Sequence, residues 1–251
     1  MSAVSKQSFI VFIAVSSIAL VYFVGCGEDK SPTRSEETYS LTVTFESSSK
    51  VVNLDDLGKH TIDGEEAVML ADLVDTSIVI YPQNYAYRII GEDGFYAHMK
   101  GNPDNTWEQL LSGYIILSQM LVYFDPSLEL PGRYNIKDAA EIKILRKVDF
   151  VTPADSLIQF IVDEMTATAF EDTLTGIALT EFAAQNIEGD LSVYLYDLVA
   201  ADEYTKTINY EQLLEGYFIV EDDRVLYTNS EIPSNSKIKH LNRIVAFNPL
   251  D

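Results

Sequence analysis

Apolar and polar residues alternate along two segments that follow the first forty residues. Residues 41–45 read LTVTF, and a second alternating run covers residues 50–54. A period of two is typical of strands with one buried face. The ESSSK stretch between the two runs has the composition of a hairpin turn. Leucines at helical spacing then predict a helix over residues 68–75.

Further along the chain, strand and turn signals are interleaved with short helical ones. Glu92-Asp93-Gly94 predicts a tight turn, because glycine tolerates positive φ. A helical turn over residues 106–112 is predicted to end at Gly113, and a short helix or turn begins at Asp55. Strands are predicted over residues 85–90, 95–99, 114–117, 121–124 and 141–147. This mixture predicts an α+β fold, with short helices on a mixed sheet.

One stretch of sequence occurs twice. Residues 107–117 read WEQLLSGYIIL, and residues 210–220 read YEQLLEGYFIV. Matching residues lie 103 apart here, 109 apart upstream and 102 apart downstream, and a polar insertion at residues 101–106 accounts for the first change. Gaps in loops with apolar positions in register are typical of a duplicated unit. We therefore predict two tandem copies, residues 39–148 and 156–249, separated by DFVTPAD.

The N-terminus reads as a targeting segment. An apolar run after Lys6 predicts a secretory signal peptide over residues 1–25. The Phe23-Val24-Gly25-Cys26 stretch resembles the lipobox of bacterial lipoproteins, in which the cysteine carries a lipid, although Phe23 replaces the usual leucine. The resemblance implies lipid attachment at Cys26, a polar tether over residues 26–38, and an extracytoplasmic, membrane-anchored protein. Gly27 in place of aspartate favours the outer membrane, if the organism has one.

Charge and cysteine content narrow the range of partners. The chain has 39 acidic and 17 basic residues, which gives a formal charge of −22. Such a surface repels nucleic acid phosphates and anionic lipid headgroups, so nucleic acid is excluded as a partner. The acidic balance serves solubility, or favours basic partners or divalent cations. Because Cys26 is the only cysteine, the mature chain forms no internal disulfide.

The order of elements resembles a known family. VVNLDDL, VMLADLV, YRIIGEDGFYAHM, LLSGYIIL and PGRYNIKDAAEIKIL follow one another as in the oxidoreductase molybdopterin-binding domain of the sulfite oxidase type. In that family a cysteine thiolate binds molybdenum upstream of the VMLADLV segment. Residues 58–66 and 166–175 occupy this place in the two copies and contain no cysteine, so thiolate ligation is excluded. We expect no cofactor; the alternative is a molybdopterin-type cofactor held without cysteine.

The repeated polar and aromatic residues are the candidates for a ligand groove between the copies. These residues are Glu108, Tyr114, Glu211 and Tyr217. Paired carboxylates can act as acid and base, and tyrosines can stack on a ligand. Each also has a structural explanation: an acid suits a helix N-terminus, and an aromatic residue at a strand start suits a core. We assign no catalytic residue.

Metal-binding patterns are weak. His60 with Asp63 and Glu65 matches no recognised ligand spacing, and Glu221-Asp222-Asp223 has no acidic counterpart in the first copy. We interpret both as surface loops and predict no metal site. The common phosphate-binding, zinc-protease, serine-hydrolase and EF-hand motifs do not occur in the sequence.

Three classes of function remain open. The first is a non-catalytic envelope module that binds a small ligand or an envelope protein. The alternative is a cofactor-binding redox enzyme or accessory subunit of the molybdopterin oxidoreductase type. The third is a structural envelope protein. Only the first predicts that a ligand, without metal or cofactor, stabilises the fold.

Overall fold

The alternating residues at the start of the described chain form an antiparallel hairpin. The computed structural model describes residues 39–171, 174–233 and 237–250. The predicted signal peptide, Cys26 and the whole predicted tether, residues 26–38, lie outside these residues. Within them, no helix is long and apolar enough to cross a membrane. The described residues belong to one compact unit, and its mixed sheets and short helices confirm the α+β class.

The first half of this unit contains seven strands and the start of an eighth. Its helix is α1, Trp107–Leu111. The strands are β1 Ser40–Phe45, β2 Ser48–Asn53, β3 Lys59–Ile62, β4 Glu65–Met69, β5 Tyr85–Gly91, β6 Gly113–Ile116, β7 Leu121–Phe124 and β8 Ala139–Val151. β3, β4, β6 and β7 form a four-stranded sheet in that order, whereas β1, β2 and β5 join β8 in a larger sheet.

The second half has the same pairing order and one further paired strand, Thr205–Ile208. Its helices are α2, Thr180–Ala184, and α3, Tyr210–Glu215. The strands are β9 Leu157–Ile161, β10 Thr168–Glu171, β11 Leu174–Ala178, β12 Leu195–Ala200, β13 Thr205–Ile208, β14 Gly216–Ile219, β15 Arg224–Tyr227 and β16 Leu241–Phe247. β10, β11, β14 and β15 form the second four-stranded sheet, and β9, β12, β13 and β16 extend the larger one.

Strand register reproduces the sequence offsets. Gly113 pairs with Phe124 in the first half, and Gly216 pairs with Tyr227 in the second, both 103 residues later. Tyr87 pairs with Ile144, and the corresponding pair is Tyr196 with Ala246, at offsets of 109 and 102. Equivalent positions can therefore be assigned from backbone pairing as well as from sequence.

One long strand serves both halves. The first part of β8 pairs in parallel with β1, and its last part pairs in parallel with β16. Its residues Asp149–Val151 also pair with β9, in the way that β1 pairs with β2. The DFVTPAD segment predicted to separate the copies thus begins inside a strand. The second set of pairings starts before residue 156.

Each half has its own apolar core. The first contains the fully buried Leu54, Leu70, Leu110 and Ile142. The second contains Val162, Leu179, Leu213 and Ile244 at the equivalent positions. Leucine and isoleucine on one face of a strand or short helix supply most of the buried area of such a core.

Some local predictions are confirmed and others are wrong. The β1–β2 hairpin, α1 and the turn at Gly94 (φ 79°) form as predicted. The helix over residues 68–75 is a single 3-10 turn, Leu70–Leu73. The strand over residues 95–99 is absent: Ala97–Lys100 is another 3-10 turn, because the chain leaves the hairpin to form a buried ion pair described below.

Candidate functional site: an apolar cleft beside the first hairpin

A cleft opens between the β1–β2 hairpin and the segment that follows the 3-10 turn at Leu70–Leu73. Its volume is about 250 Å³. Its apolar lining consists of Val43, Phe45, Val52, Leu73, Ile78, Val79 and Ile144. Polar side chains are confined to Glu46, Ser48, Ser49, Lys50 and Asp75. A largely apolar lining with a few polar groups is typical of small-molecule sites.

Hairpin register explains why these side chains converge. Leu41 pairs with Val52, and Val43 pairs with Lys50, and directly opposed residues share a face of an antiparallel pair. This face turns towards Leu73 and Ile144 in the first core. β2 is the last strand of its sheet, so the cleft opens where the sheet ends.

The same place in the second half is filled by aromatic rings. Val43 is equivalent to Phe150, since their partners on β8 and β16 are Ile142 and Ile244, at the offset of 102. The hairpin register then makes Val52 equivalent to Phe160. Each valine of the first half is thus replaced by a phenylalanine in the second.

The third pair is Leu73 and Phe182, at the offset of 109. Phe160 lies edge-on to Phe150 at a centroid distance of 6.5 Å, and edge-on to Phe182 at 5.1 Å. These are favourable aromatic geometries. The smaller valines and leucine of the first half leave the equivalent space open.

The polar rim of the cleft carries charges of both signs. Glu46 lies 3.1 Å from Arg146. Asp75 accepts hydrogen bonds from the hydroxyl and the backbone N–H of Ser77, at 2.6 and 3.1 Å. These two bonds hold the pKa of Asp75 below its usual range, and the charge of Lys50 contributes further. Lys50 itself forms no hydrogen bond or ion pair with the other described residues.

The residues proposed from sequence for a groove between the copies lie elsewhere. Glu108 and Glu211 are exposed in the first turns of α1 and α3, as expected for acids at helix N-termini. Tyr114 is half-buried with its ring 5.4 Å from that of His60, and Tyr217 has its ring 5.2 Å from that of Phe170. None of the four lines the cleft, and a ligand groove at these positions stays a prediction.

The repeated EQLLxGY motif has a structural role in both halves. Gln109 completes a capping box with Thr106, and Gln212 does so with Asn209. The first leucine of each motif is fully buried. The glycine has no positive φ, but a Cβ atom on Gly113 would lie 2.5 Å from Leu70 Cδ1. Close packing of helix against strand therefore requires glycine here.

The most buried polar cluster is an ion-pair network around Arg88. Arg88 donates two hydrogen bonds to Asp104, at 2.7 and 2.9 Å, and a third to Glu164, at 2.5 Å. Its guanidinium also stacks on Tyr96, 4.6 Å from the ring centroid. Asp104 lies in the polar insertion, and its backbone N–H donates to Gln159. The network ties the insertion to β9 and to the 3-10 turn after it.

Electrostatics agree with a structural role for this network. Burial opposes the charge of Arg88, but the hydrogen bonds and charges of Asp104 and Glu164 outweigh it and raise its pKa. The hydrogen bond from Arg88 lowers the pKa of Glu164. Arg88 and Glu164 thus each favour the charged form near neutral pH, and a fixed ion pair of this kind suits packing better than proton transfer.

The histidines do not converge. His60 faces Tyr114, His98 Nδ1 lies 3.6 Å from Asp104 Oδ2, and His240 Nδ1 lies 2.8 Å from Asp223 Oδ2, which accepts a hydrogen bond from it. Among the described residues, no group of three or more histidine, cysteine, aspartate or glutamate side chains could hold a metal ion.

Residues 58–66, where the sequence resemblance would place a metal ligand, have side chains that contact other parts of the protein. This stretch forms β3, the following turn and the start of β4. Lys59 Nζ donates hydrogen bonds to Asp55 Oδ1 and to the Leu54 carbonyl, at 3.2 and 3.0 Å. His60 packs on an aromatic ring. The absence of a cofactor, and the alternative of one held without cysteine, both stay predictions.

Comparison of the chain with protein-family models, with curated proteins and with solved structures finds no match.

The cleft residues could have been found in part from sequence. The alignment of the copies pairs Leu73 with Phe182. The smaller side chain of Leu73 indicates unfilled space at this position in the first half. The same alignment does not reveal that Val43 and Val52 correspond to phenylalanines, because the predicted second copy begins at residue 156, after β8. Their partners lie on β8 and β9, where only strand register reveals the equivalence.

Proposed function

We propose that this chain is a lipid-anchored, extracytoplasmic binding module without catalytic activity, and that it binds a small, largely apolar ligand in the cleft beside β1 and β2. We further propose that its halves are two copies of a sulfite oxidase-type unit that no longer hold the molybdenum cofactor. Cys26 is the proposed anchor. The order of sequence segments and the matched strand pairings support the duplication.

The observation that carries the proposal is the unequal filling of equivalent space. Three positions occupied by Phe150, Phe160 and Phe182 in one half hold two valines and a leucine in the other. An apolar cavity costs stability unless something fills it. A cleft kept open in one half while its counterpart is filled is best explained by a ligand.

The test uses residues 27–251, which include the whole compact unit and both cores. Octan-1-ol serves as a neutral apolar probe, and the melting temperature is followed as its concentration rises. We expect a saturating rise in the melting temperature, because the probe binds the folded state. In Leu73→Phe, which copies the second half, the rise should disappear.

The matched control is the same leucine-to-phenylalanine substitution at an exposed site. Leu157 is 65% exposed and does not line the cleft, so Leu157→Phe should respond to octan-1-ol like the unmodified chain. If neither chain responds, or if Leu73→Phe responds equally, the cleft is not a ligand site and the proposal fails.

A further inference from the structure

The cleft has a cation at its rim. Lys50 faces Val43 across the hairpin and lies on the same face, so its side chain stands beside the apolar lining. It is exposed and forms no hydrogen bond or ion pair with the other described residues. In a chain of net charge −22, a cation beside an apolar cleft is a feature to be explained.

The two acids at this rim have partners of their own within the protein. Glu46 is paired with Arg146. Asp75 uses one carboxylate oxygen to accept both hydrogen bonds from Ser77. Ser49 shares a hydrogen bond with Thr44. The Lys50 ammonium forms no hydrogen bond with these groups, so its donors are available to an incoming anion, although its charge also acts on Asp75.

The equivalent position in the second half carries no charge. The hairpin register makes Lys50 equivalent to Ile158, since their partners Val43 and Phe150 are themselves equivalent. The half whose cleft is filled by aromatic rings thus also lacks the cation. At the positions equivalent to the cleft, the first half combines small apolar residues with a cation, whereas the second half has phenylalanines and an isoleucine.

We propose that the ligand is an amphiphile with a carboxylate head group, held by Lys50, and a short alkyl body in the cleft. This inference rests on the proposed function. The volume of about 250 Å³ has room for about eight groups the size of a water molecule, each ~30 Å³. A carboxylate of about eight carbons fits this space, with its charged end at the sheet edge and its chain against Leu73, Val79 and Ile144.

The test compares three eight-carbon probes that differ in head group: octanoate, octan-1-ol and octylammonium. Binding to residues 27–251 is measured by isothermal titration calorimetry below the aggregation concentration of each probe. We expect octanoate to bind at least tenfold more tightly than octan-1-ol, and octylammonium most weakly. Lys50→Met should abolish the preference for octanoate and leave octan-1-ol binding unchanged, whereas Lys50→Arg should retain the preference.

The outcomes separate this inference from the function on which it rests. If all three probes fail to bind, the proposed function itself falls. If octan-1-ol binds as tightly as octanoate, or if Lys50→Met leaves the preference intact, the cleft is a ligand site but the carboxylate assignment is wrong. Aggregation of Lys50→Met with unchanged probe selectivity would show that Lys50 only protects the edge strand, which also overturns the inference.

Discussion

The two halves of this protein share their backbone pairings, apart from β13 in the second half, but have different interiors at equivalent positions. β3, β4, β6 and β7 pair as β10, β11, β14 and β15 do. The packing differs where a valine, a valine and a leucine in the first half face three phenylalanines in the second. The comparison teaches that residues shared by both halves fix the backbone packing, whereas residues that differ determine whether the space beside the hairpin is open or occupied by aromatic rings.

The buried charge network is the largest difference between the halves. Arg88 is equivalent to Asp197, at the offset of 109, and Asp197 only accepts a hydrogen bond from the Thr207 hydroxyl. Arg88 and Asp104 are 7% and 3% exposed. Arg88→Leu leaves a buried carboxylate without its partner, and we expect it to lower the free energy of unfolding by about 3–5 kcal/mol.

Urea unfolding measures this difference, with Asp197→Asn as the counterpart in the second half. We expect Asp197→Asn to cost at most about 1 kcal/mol, since its hydrogen bond is exposed. Adding Asp104→Asn to Arg88→Leu should recover part of the loss by removing the unpaired charge. A loss below about 1 kcal/mol for Arg88→Leu would mean that the network is not a structural tie.

The shared glycines should be equally intolerant in both halves. A Cβ atom on Gly113 would lie 2.7 Å from Phe124 Cε1, and one on Gly216 would lie 2.6 Å from Leu179 Cδ1. We expect Gly113→Ala and Gly216→Ala each to cost about 1–3 kcal/mol through overpacking. Gly132→Ala is the control, because nothing lies within 4 Å of its added atom, and its effect on urea unfolding should stay within about 0.5 kcal/mol. Tolerance of either motif substitution would contradict the packing explanation.

Exchanging the cleft residues should have opposite effects in the two halves. Phe182→Leu removes ring contacts with Phe160 from a filled core, and we expect a cost of about 1–3 kcal/mol. Leu73→Phe places a ring into open space, and we expect it to cost less than about 1 kcal/mol. Equal costs in urea unfolding would show that the two interiors are packed alike, and the comparison between them would lose its basis.

Sequence predicts the repeated elements well because they follow periodic and capping signals. The alternating residues of β1, and the threonine that caps α1, are local features that one chain segment reveals. The strand predicted over residues 95–99 fails because a distant pairing, Arg88 with Asp104, draws the chain away. The cleft arises from the relation of β1 to β8, which no local pattern contains. In the sequence, only a difference in side-chain size between aligned residues of the two copies, such as Leu73 and Phe182, points to the cleft.

The smallest predicted effect concerns pH, and it tests how the network joins the halves. Glu164 accepts a hydrogen bond from Arg88, which lowers its pKa in the folded state. A depressed folded pKa adds stability that is present above the unfolded pKa and is lost as pH falls through the folded value. Glu164→Gln should therefore destabilise the chain at pH 7, and the difference from the unmodified chain should shrink below the ordinary glutamate pKa of 4.5.

Melting temperatures from pH 3 to pH 7 would measure this convergence, with the exposed Glu188→Gln as control. Glu164 is about half exposed, so solvent screens the pair and the effect should be smaller than that of Arg88→Leu. If the deficit of Glu164→Gln is the same at every pH, its cause is lost packing and not charge. Asp104 alone would then balance Arg88, and the charge network would belong to the first half rather than join the two.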